Sequence, residues 1–572
     1  MEKTGKVLAI FLLIVCFFVI FLSGVVSTIG QKNYARSYFK EERQEALRGS
    51  IITADGLTLA QSSRRWQVVF DSRHIEEHKK PLMARLLGLY MDRDEAEILD
   101  LLSRGGRVML QKDLTTREAK NLQHLSVQLD RMGVFKTFQQ NGNALRFGLE
   151  IAPLTPPARL YPYGDLAQPV LGYVQKQNGG EGQMGLERYY QAPIDGKEPG
   201  VLRALRDAGG NLIYNNKLTH TRPRHGDGLA LSLNARLQYD LEQALDRQQQ
   251  RFEAGEIIVG VMESRTGRLV ALASSNRYDA ELITQETLPH TRMNAVQYPF
   301  EPGSVMKPFI VALLFEEGTA GQYDLVRGYN GRLKIGSETV TDTVPKEWFS
   351  VEDVIVYSSN VGITQLALNL SPYKLHDGLN SFGFSRQSGI DLPYEAVGEL
   401  PGLHRYRTDI YRATTGYGYG LRVTFMQLLK AYNVFNNSGH MVTPHLADKL
   451  SGTDAAAALP SLQSTRVVGE ATAMKLLQIL RKTVTKGTGR EADVEGLFIA
   501  GKTGTAHIAR AGSYKNDYHS TFFGFANDAE SRYTIGVLFI DPRQGHLAGK
   551  TTAPAFRETV NLLVKHGLLK PE

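Results

Sequence analysis

The stretch Gly496-Leu497-Phe498-Ile499-Ala500-Gly501-Lys502-Thr503-Gly504-Thr505-Ala506 decides the fold, because it admits two incompatible readings. Taken literally, Gly496 to Thr503 spells the phosphate-binding pattern G-x-x-x-x-G-K-[ST], which would make the chain a P-loop nucleotide hydrolase. Such a loop needs a strand before its first glycine, a flexible cradle between the glycines and a helix after the threonine. Here the order is inverted. Arg490 to Glu495 is polar, Leu497 to Ala500 is itself an apolar β-forming run, and Gly504-Thr505 is a poor helix start. The stretch therefore reads as a strand, Leu497 to Ile508, carrying glycine where a ligand backbone approaches.

Downstream lie two more strand-like runs, Thr521 to Ala526 and Tyr533 to Ile540, and then a helical pattern from Pro554 to Lys565. Far upstream, Glu256 to Ser264 and Arg268 to Ser275 flank Thr266-Gly267 as a hairpin. A helix capped by Asn234, with Leu237, Leu241, Ala244, Leu245 and Phe252 at helical spacing, precedes that hairpin. Five strands split around a long, mostly helical insert predict an α+β domain over residues 226–572, a five-stranded antiparallel sheet flanked by helices. Pro223 to Gly228 reads as a linker, and residues 31–225 as a non-catalytic α/β pedestal domain. In it, Asp92 with Glu95 and Thr115 with Glu118 have the form of capping boxes, while Gly179, Gly180, Gly182 and Gly185 mark a turn-rich stretch.

Composition narrows the partners. The 572 residues carry 66 Lys and Arg against 59 Asp and Glu, a net charge of +7 without any long run of like charges, so nucleic acid is not an expected partner. A single cysteine, Cys16, excludes an intramolecular disulfide and Cys-based zinc sites. Cys16 lies in Val7 to Ile29, an uncharged run long enough to cross a bilayer core that needs about 20 helical residues. Residues 1–30 are thus expected to be a short cytoplasmic stub and a transmembrane signal anchor. Lys3 and Lys6 before it are balanced by Lys32, Arg36 and Lys40 after it, so orientation rests on length: a short stub on one side, the bulk of the chain exported on the other.

Three short motifs could carry chemistry. Ser304-x-x-Lys307 follows Pro302-Gly303 and opens an apolar run to Phe315, which places both residues on one face of the first turn of a buried helix. A lysine that loses solvent at the positive end of a helix has its pKa lowered, and so becomes a base able to activate a neighbouring serine hydroxyl. Ser358-x-Asn360 falls at the break between two helical runs, and Lys502-Thr503-Gly504 ends the apolar strand. None is specific alone. Ser37-x-x-Lys40 and Ser371-x-x-Lys374 repeat the first pattern, Ser371-Pro372 with the form of a helix cap; Ser232-x-Asn234 and Ser274-x-Asn276 repeat the second, and Lys3 to Gly5 the third. The glycines of Gly416-Tyr417-Gly418-Tyr419-Gly420 read as close-packing turn residues, since no β-branched strand precedes them as a dinucleotide fingerprint requires.

Taken in order, Ser304-x-x-Lys307, Ser358-x-Asn360 and Lys502-Thr503-Gly504 resemble the three motifs of penicillin-binding proteins and active-site serine β-lactamases. Flanking stretches extend the resemblance to class B penicillin-binding proteins, the peptidoglycan D,D-transpeptidases, through nearly the whole chain after the anchor. Among them are Arg48-Gly49-Ser50-Ile51, Arg159-x-Tyr161-Pro162, Gly185-Leu186-Glu187, Glu301-Pro302-Gly303-Ser304 and Gly501 to Ala506. The chain departs from the family at Thr53-Ala54, where Asp-Arg is usual, and at Ser232-Leu233-Asn234, where Thr-Ile-Asp is usual.

The resemblance implies that Ser304 is the nucleophile and Lys307 its base, that Ser358 relays a proton, and that Asn360 orients a substrate amide. It implies that Lys502 supplies positive potential, that Thr503, Gly504 and Thr505 bind substrate, and that the backbone N–H groups of Ser304 and Thr505 form an oxyanion hole. Implied partners are peptidoglycan stem peptides, β-lactams, a SEDS-family glycosyltransferase and other division proteins; no metal or organic cofactor is implied. The implied location is the bacterial inner membrane, single-pass, with the catalytic domain in the periplasm. The short pedestal and the lack of C-terminal repeat modules look more like the septal, division-specific enzyme than the elongation enzyme. A β-lactamase, a carboxypeptidase and a vestigial cell-wall scaffold remain the alternatives, although no general-base carboxylate for rapid deacylation stands out.

Overall fold

The computed structural model describes residues 2–30, 39–136, 138–140, 143–145, 148–175, 180–206, 212–213, 218–336, 338–452, 459, 464–510 and 513–572. Ser37, Lys32, Arg36 and Gly179 lie outside the described residues. Helix α1 (Glu2–Gly30) contains the apolar run Gly5–Ser27, 23 residues of mean hydropathy 3.1, exposed along its length among the described residues. At about 1.5 Å per residue it exceeds a hydrocarbon core of about 30 Å, which fits a single-pass membrane anchor.

By their contacts the residues fall into two units, Met1–Arg48 with Asp195–Gly226, and Gly49–Ile194 with Asp227–Glu572. The expected pedestal, 31–225, is therefore divided between them. In the first unit, Phe39–Gln44 pairs antiparallel with Gly200–Arg206, which also pairs with Thr219–Thr221. In the second, Ile51–Ile52 is hydrogen-bonded between Leu229–Leu231 and Thr58–Ser63, which ties residues 51–63 into a sheet with Ala447–Leu450. Buried polar ties reinforce this grouping: the Ala167 N–H donates to Glu242 Oε1 (3.0 Å) and the Tyr190 hydroxyl to Asp391 Oδ2 (2.9 Å).

Residues 66–153 carry a small core of their own, in which Val68, Phe70, Leu87, Ile98, Leu122 and Leu125 pack between a three-stranded sheet and its helices. The Thr115–Glu118 capping box is present in full. Asp92, by contrast, sits at φ 51° closing the preceding helix, and Asp94 caps the next one by accepting from the Ala96 and Glu97 N–H groups. Two acidic residues compete for one cap, and the chain reversal leaves only Asp94 extended.

The chemistry sits on the remaining elements, which in chain order are α2 (Ala235–Phe252), β1 (Glu256–Glu263), β2 (Leu269–Ser274), α3 (Lys307–Glu317), α4 (Val351–Val356), α5 (Asn360–Asn369), α6 (Phe425–Asn436), α7 (Glu470–Thr485), β3 (Phe498–Arg510), β4 (Ser513–Asn527), β5 (Arg532–Ile540) and α8 (Thr552–Lys565). The five strands form one antiparallel sheet in the order β2-β1-β5-β4-β3, as expected, and β3 is one of its two edges. Successive side chains enter opposite cores. Val259, Val261, Phe522 and Val537 pack with Leu241 of α2 and Phe556 of α8, whereas Ile258, Met262, Phe523 and Leu538 pack with Phe309 of α3 and Phe425 of α6. Both faces of the sheet are covered by buried apolar side chains.

Strand β3 runs through most of the residues that a phosphate loop would need free, with Ile499 opposite Ala526 and Lys502 opposite Phe523. The nucleotide-hydrolase alternative is thereby removed. Strand β4 is longer than Thr521 to Ala526, since it begins at Ser513, with Ser513 and Tyr514 opposite Arg510 and Ala509, and Tyr518 to Ser520 opposite His507 to Thr505.

Candidate active site

The Ser304 segment is set by glycine. Gly303 has φ 64°, and a Cβ there would stand 3.1 Å from Ala506 Cβ and 3.2 Å from the Thr505 carbonyl oxygen. Gly418, at φ 88°, presses still closer: its Cβ would lie 2.0 Å from the Gly303 carbonyl oxygen, and its own carbonyl accepts the Gly303 N–H at 3.0 Å. The Gly416 to Gly420 run is thus a packing turn against the serine segment.

From Gly303 to Met306 the chain forms a 3-10 turn that leads into α3, and the Lys307 N–H donates to the Ser304 carbonyl. Residues three apart eclipse in such a turn, so Ser304 and Lys307 share a side. Ser304 is half-buried, and among the described residues its hydroxyl has no protein hydrogen-bond partner; Lys307 is fully buried. The Lys307 Nζ donates to the Ser358 carbonyl (2.6 Å) and to Asn360 Oδ1 (2.7 Å), and lies 3.2 Å from Ser358 Oγ.

Ser358 and Asn360 flank a helix cap without being it. Ser359 caps α5 by accepting the Gly362 N–H at 2.8 Å, while Ser358 is held at φ 60°, a left-handed conformation costly for a residue with a Cβ. Asn360 Nδ2 donates to the Thr341 carbonyl (3.1 Å), which turns its Oδ1 toward Lys307.

Lys502, also fully buried, reaches from the sheet edge to Ser358 Oγ (2.9 Å) and to the Thr503 carbonyl (2.9 Å). The Ser358 hydroxyl therefore bridges two lysines. Burial first, and then the nearby positive charge of Lys502, holds the Lys307 amine well below its ordinary range, opposed by the negative charge of Asp342. Burial brings Lys502 down to about 7. Both amines are poised to be neutral where exposed lysines are charged.

The rest of the strand motif lines the edge. Thr503 Oγ1 shares a hydrogen bond with Thr488 Oγ1 (2.7 Å), and Thr505 Oγ1 accepts the Ala548 N–H (3.3 Å). A Cβ on Gly504 would come within 2.4 Å of Thr521 Oγ1 and 2.9 Å of Val305 Cγ1, so the strand passes directly against the serine turn only because that residue is glycine. The His507 N–H donates outward to the Tyr419 hydroxyl (3.1 Å), and the alternation of a strand turns the Thr505 N–H toward the same open edge.

All of the expected site residues meet here. Three of the other copies do not: Ser371 caps a helix by accepting the Lys374 N–H (3.3 Å), Ser232 Oγ donates to the Leu269 carbonyl (2.7 Å), and Ser274 Oγ to Glu256 (2.7 Å). Sequence reasoning missed Asp342, Thr488 and Tyr419. Tyr419 was within reach, standing in the glycine run, but Asp342 and Thr488 belong to no spaced pattern.

Residues 257–561, more than half the chain, match the family described as "Penicillin binding protein transpeptidase domain", and residues 43–231 match "Penicillin-binding Protein dimerisation domain". The chain is 31% identical over 405 residues to the "probable peptidoglycan D,D-transpeptidase PenA" of Neisseria meningitidis, covering 70% of this chain and 67% of that protein. The transpeptidase domain of Burkholderia pseudomallei penicillin-binding protein 3 superposes with a TM-score of 0.53 at 27% identity, covering 60% of this chain and 97% of the other. Penicillin-binding protein 3 of Mycobacterium tuberculosis, solved in complex with aztreonam, shares the fold at TM-score 0.67 and 23% identity over 93% of this chain and 98% of that one.

Proposed function

The chain belongs to the class B penicillin-binding proteins, the peptidoglycan D,D-transpeptidases, and from that premise we propose that Ser304 is the nucleophile of a two-step acyl transfer catalysed by Lys307. The observation that carries this reading is the bonding of Lys307. A neutral amine has two hydrogens and one lone pair; two acceptors, the Ser358 carbonyl and Asn360 Oδ1, engage the hydrogens, leaving the lone pair for a hydroxyl proton.

In the first step Lys307 takes the Ser304 proton and Oγ attacks the carbonyl carbon of the penultimate D-Ala of a stem peptide. The backbone N–H groups of Ser304 and Thr505 hold the negative oxygen of the tetrahedral intermediate. The proton passes from Lys307 through the Ser358 hydroxyl to the leaving nitrogen, the C–N bond breaks, and D-Ala departs with an ester left on Ser304. In the second step the amine of a neighbouring stem attacks that ester, its proton returns along the same relay, and Ser304 is regenerated as the peptide crosslink forms. Lys502 supplies positive potential, and the Thr503 and Thr505 hydroxyls bind the terminal carboxylate. Gly504 lets the substrate lie as an added strand along the edge of β3, and Asn360 keeps one amide hydrogen for a substrate carbonyl.

The same serine is the proposed target of β-lactams. The anchor is proposed to hold the catalytic domain in the periplasm, beside a SEDS-family glycosyltransferase, with residues 31–225 as the non-catalytic pedestal. The shortness of that pedestal supports a septal role. Labelling of membranes with fluorescent penicillin, with the adduct located by peptide mass, tests the chemistry: an adduct on Ser304 is expected, and an adduct elsewhere overturns it. Depletion tests the role, since filaments support division and rounded cells point to elongation.

A further inference from the structure

The Ser358 to Asn360 motif is gripped from outside by one carboxylate. Asp342 directly follows the strand Glu338–Thr341 of a two-stranded hairpin, and its backbone N–H is tied to the Gly331 carbonyl at 3.0 Å. Its Oδ1 accepts the N–H groups of Asn360 (2.5 Å) and Val361 (3.0 Å), and its Oδ2 accepts the Ser359 hydroxyl (2.6 Å). The first three amides of α5 are thereby satisfied, two by Asp342 and the third by Ser359. The residue just before it, Thr341, accepts from Asn360 Nδ2. Outside the two lysines, the motif is thus fixed by the carbonyls of Val354 and Ile355 in α4, which accept the N–H groups of Ser359 (2.9 Å) and Ser358 (3.2 Å), and by residues 341–342, which hold the side chains of Ser359 and Asn360.

We infer that Asp342 is the positioning residue of the transpeptidase site, clamping Ser358 in its left-handed conformation and Asn360 with its oxygen toward Lys307. The inference rests on the catalytic reading given above. Without the clamp, Ser358 relaxes toward a helical or extended conformation that its Cβ prefers, and its carbonyl and hydroxyl leave Lys307. Asp342 also places the one negative charge that favours a protonated Lys307, against burial and Lys502. Removing that charge lowers the pH at which Lys307 gives up its proton.

The test uses the full chain in detergent, measuring the rate of acylation by fluorescent penicillin against pH together with thermal melting. Asp342→Asn is expected to slow acylation between about 10-fold and 100-fold, the size of one lost charge-assisted hydrogen bond, and to move the acid limb of the profile to lower pH. Glu347→Gln is the control for damage to the same insert, because Glu347 accepts from Arg327 (3.0 Å) and Asn330 (2.8 Å) without touching the motif; its rate stays within about 2-fold of the parent, its loss being that of an exposed ion pair remote from the site. Should Asp342→Asn lose its melting transition, Asp342→Ser, which keeps one acceptor for the helix amides, takes its place with the same expectations. A parental rate and an unmoved acid limb overturn the inference. Ser304→Ala run alongside separates the two claims: an inert Ser304→Ala with a parental Asp342→Asn removes only the clamp, whereas labelling of Ser304→Ala removes the catalytic reading itself.

Discussion

Ser304-x-x-Lys307 and Ser371-x-x-Lys374 share a spelling and almost nothing else. Both serines open helices and both lysines stand three residues on. Ser371 spends its hydroxyl as an N-cap, while Lys374 extends into solvent and meets Glu317 at 2.8 Å, which favours its charged form. Ser304 caps nothing, because its 3-10 turn begins on Pro302-Gly303, and Lys307 points inward where no water reaches it. Reactivity is thus conferred by what surrounds the four-residue pattern. Burial lowers the amine's pKa, and neighbours without protons to give hold its hydrogens and free its lone pair.

The comparison breaks most sharply at the serines. Ser304→Ala removes the only nucleophile of the proposed mechanism and is expected to abolish the penicillin adduct, whereas Ser371→Ala leaves labelling at the parental level. Intact-mass measurement after drug exposure checks both. Next come the lysines. Lys307→Arg cannot surrender a proton near neutral pH and is expected to lower acylation by about 10²–10⁴-fold, the usual contribution of a general base, while Lys374→Arg stays parental in the same assay.

A third expectation concerns stability. Lys502 is near 7 when folded against 10.5 in an ordinary environment, so between those values the unfolded chain binds more protons than the folded one and stability rises with pH. Measured against Lys502→Met, the parent gains stability as pH climbs from about 7 to 10.5 and is at its relative worst below 7. Denaturant titrations at several pH values show it, and a difference independent of pH would refute it. The smallest effect belongs to the silent copy, where Ser371→Ala costs about 1 kcal/mol of helix capping in the same titrations without touching acylation.

Much of this was legible before any coordinates. The β3 stretch reads as strand since its apolar residues fall between the glycines of the false phosphate loop, and the sheet bears that out with its backbone bonds. The strand Glu256–Glu263, the cap at Asn234 and the break before Asn360 were equally plain, each signalled by local residue chemistry. What escaped had no local signal. Asp92 and Asp94 are both competent caps, and only the direction of the chain chooses between them. Asp342 stands 18 residues before Asn360, just after a hairpin whose own sequence says nothing about the helix that Asp342 caps.

The sequence by itself determined which residue types meet and in what order: a serine and lysine one turn apart, a serine and asparagine at a helix break, a lysine on a glycine-bearing strand, and an apolar helix at the N-terminus. These follow from periodicity, capping and backbone permissiveness, which act over a few residues. Only the tertiary structure decided that Lys307 lies against Ser358, 51 residues away, that Lys502 shares that hydroxyl across 144, and that Asp342 holds the motif between them. Desolvation and hydrogen-bond geometry depend on distances in space, and folding creates those distances between parts of the chain that do not specify one another locally.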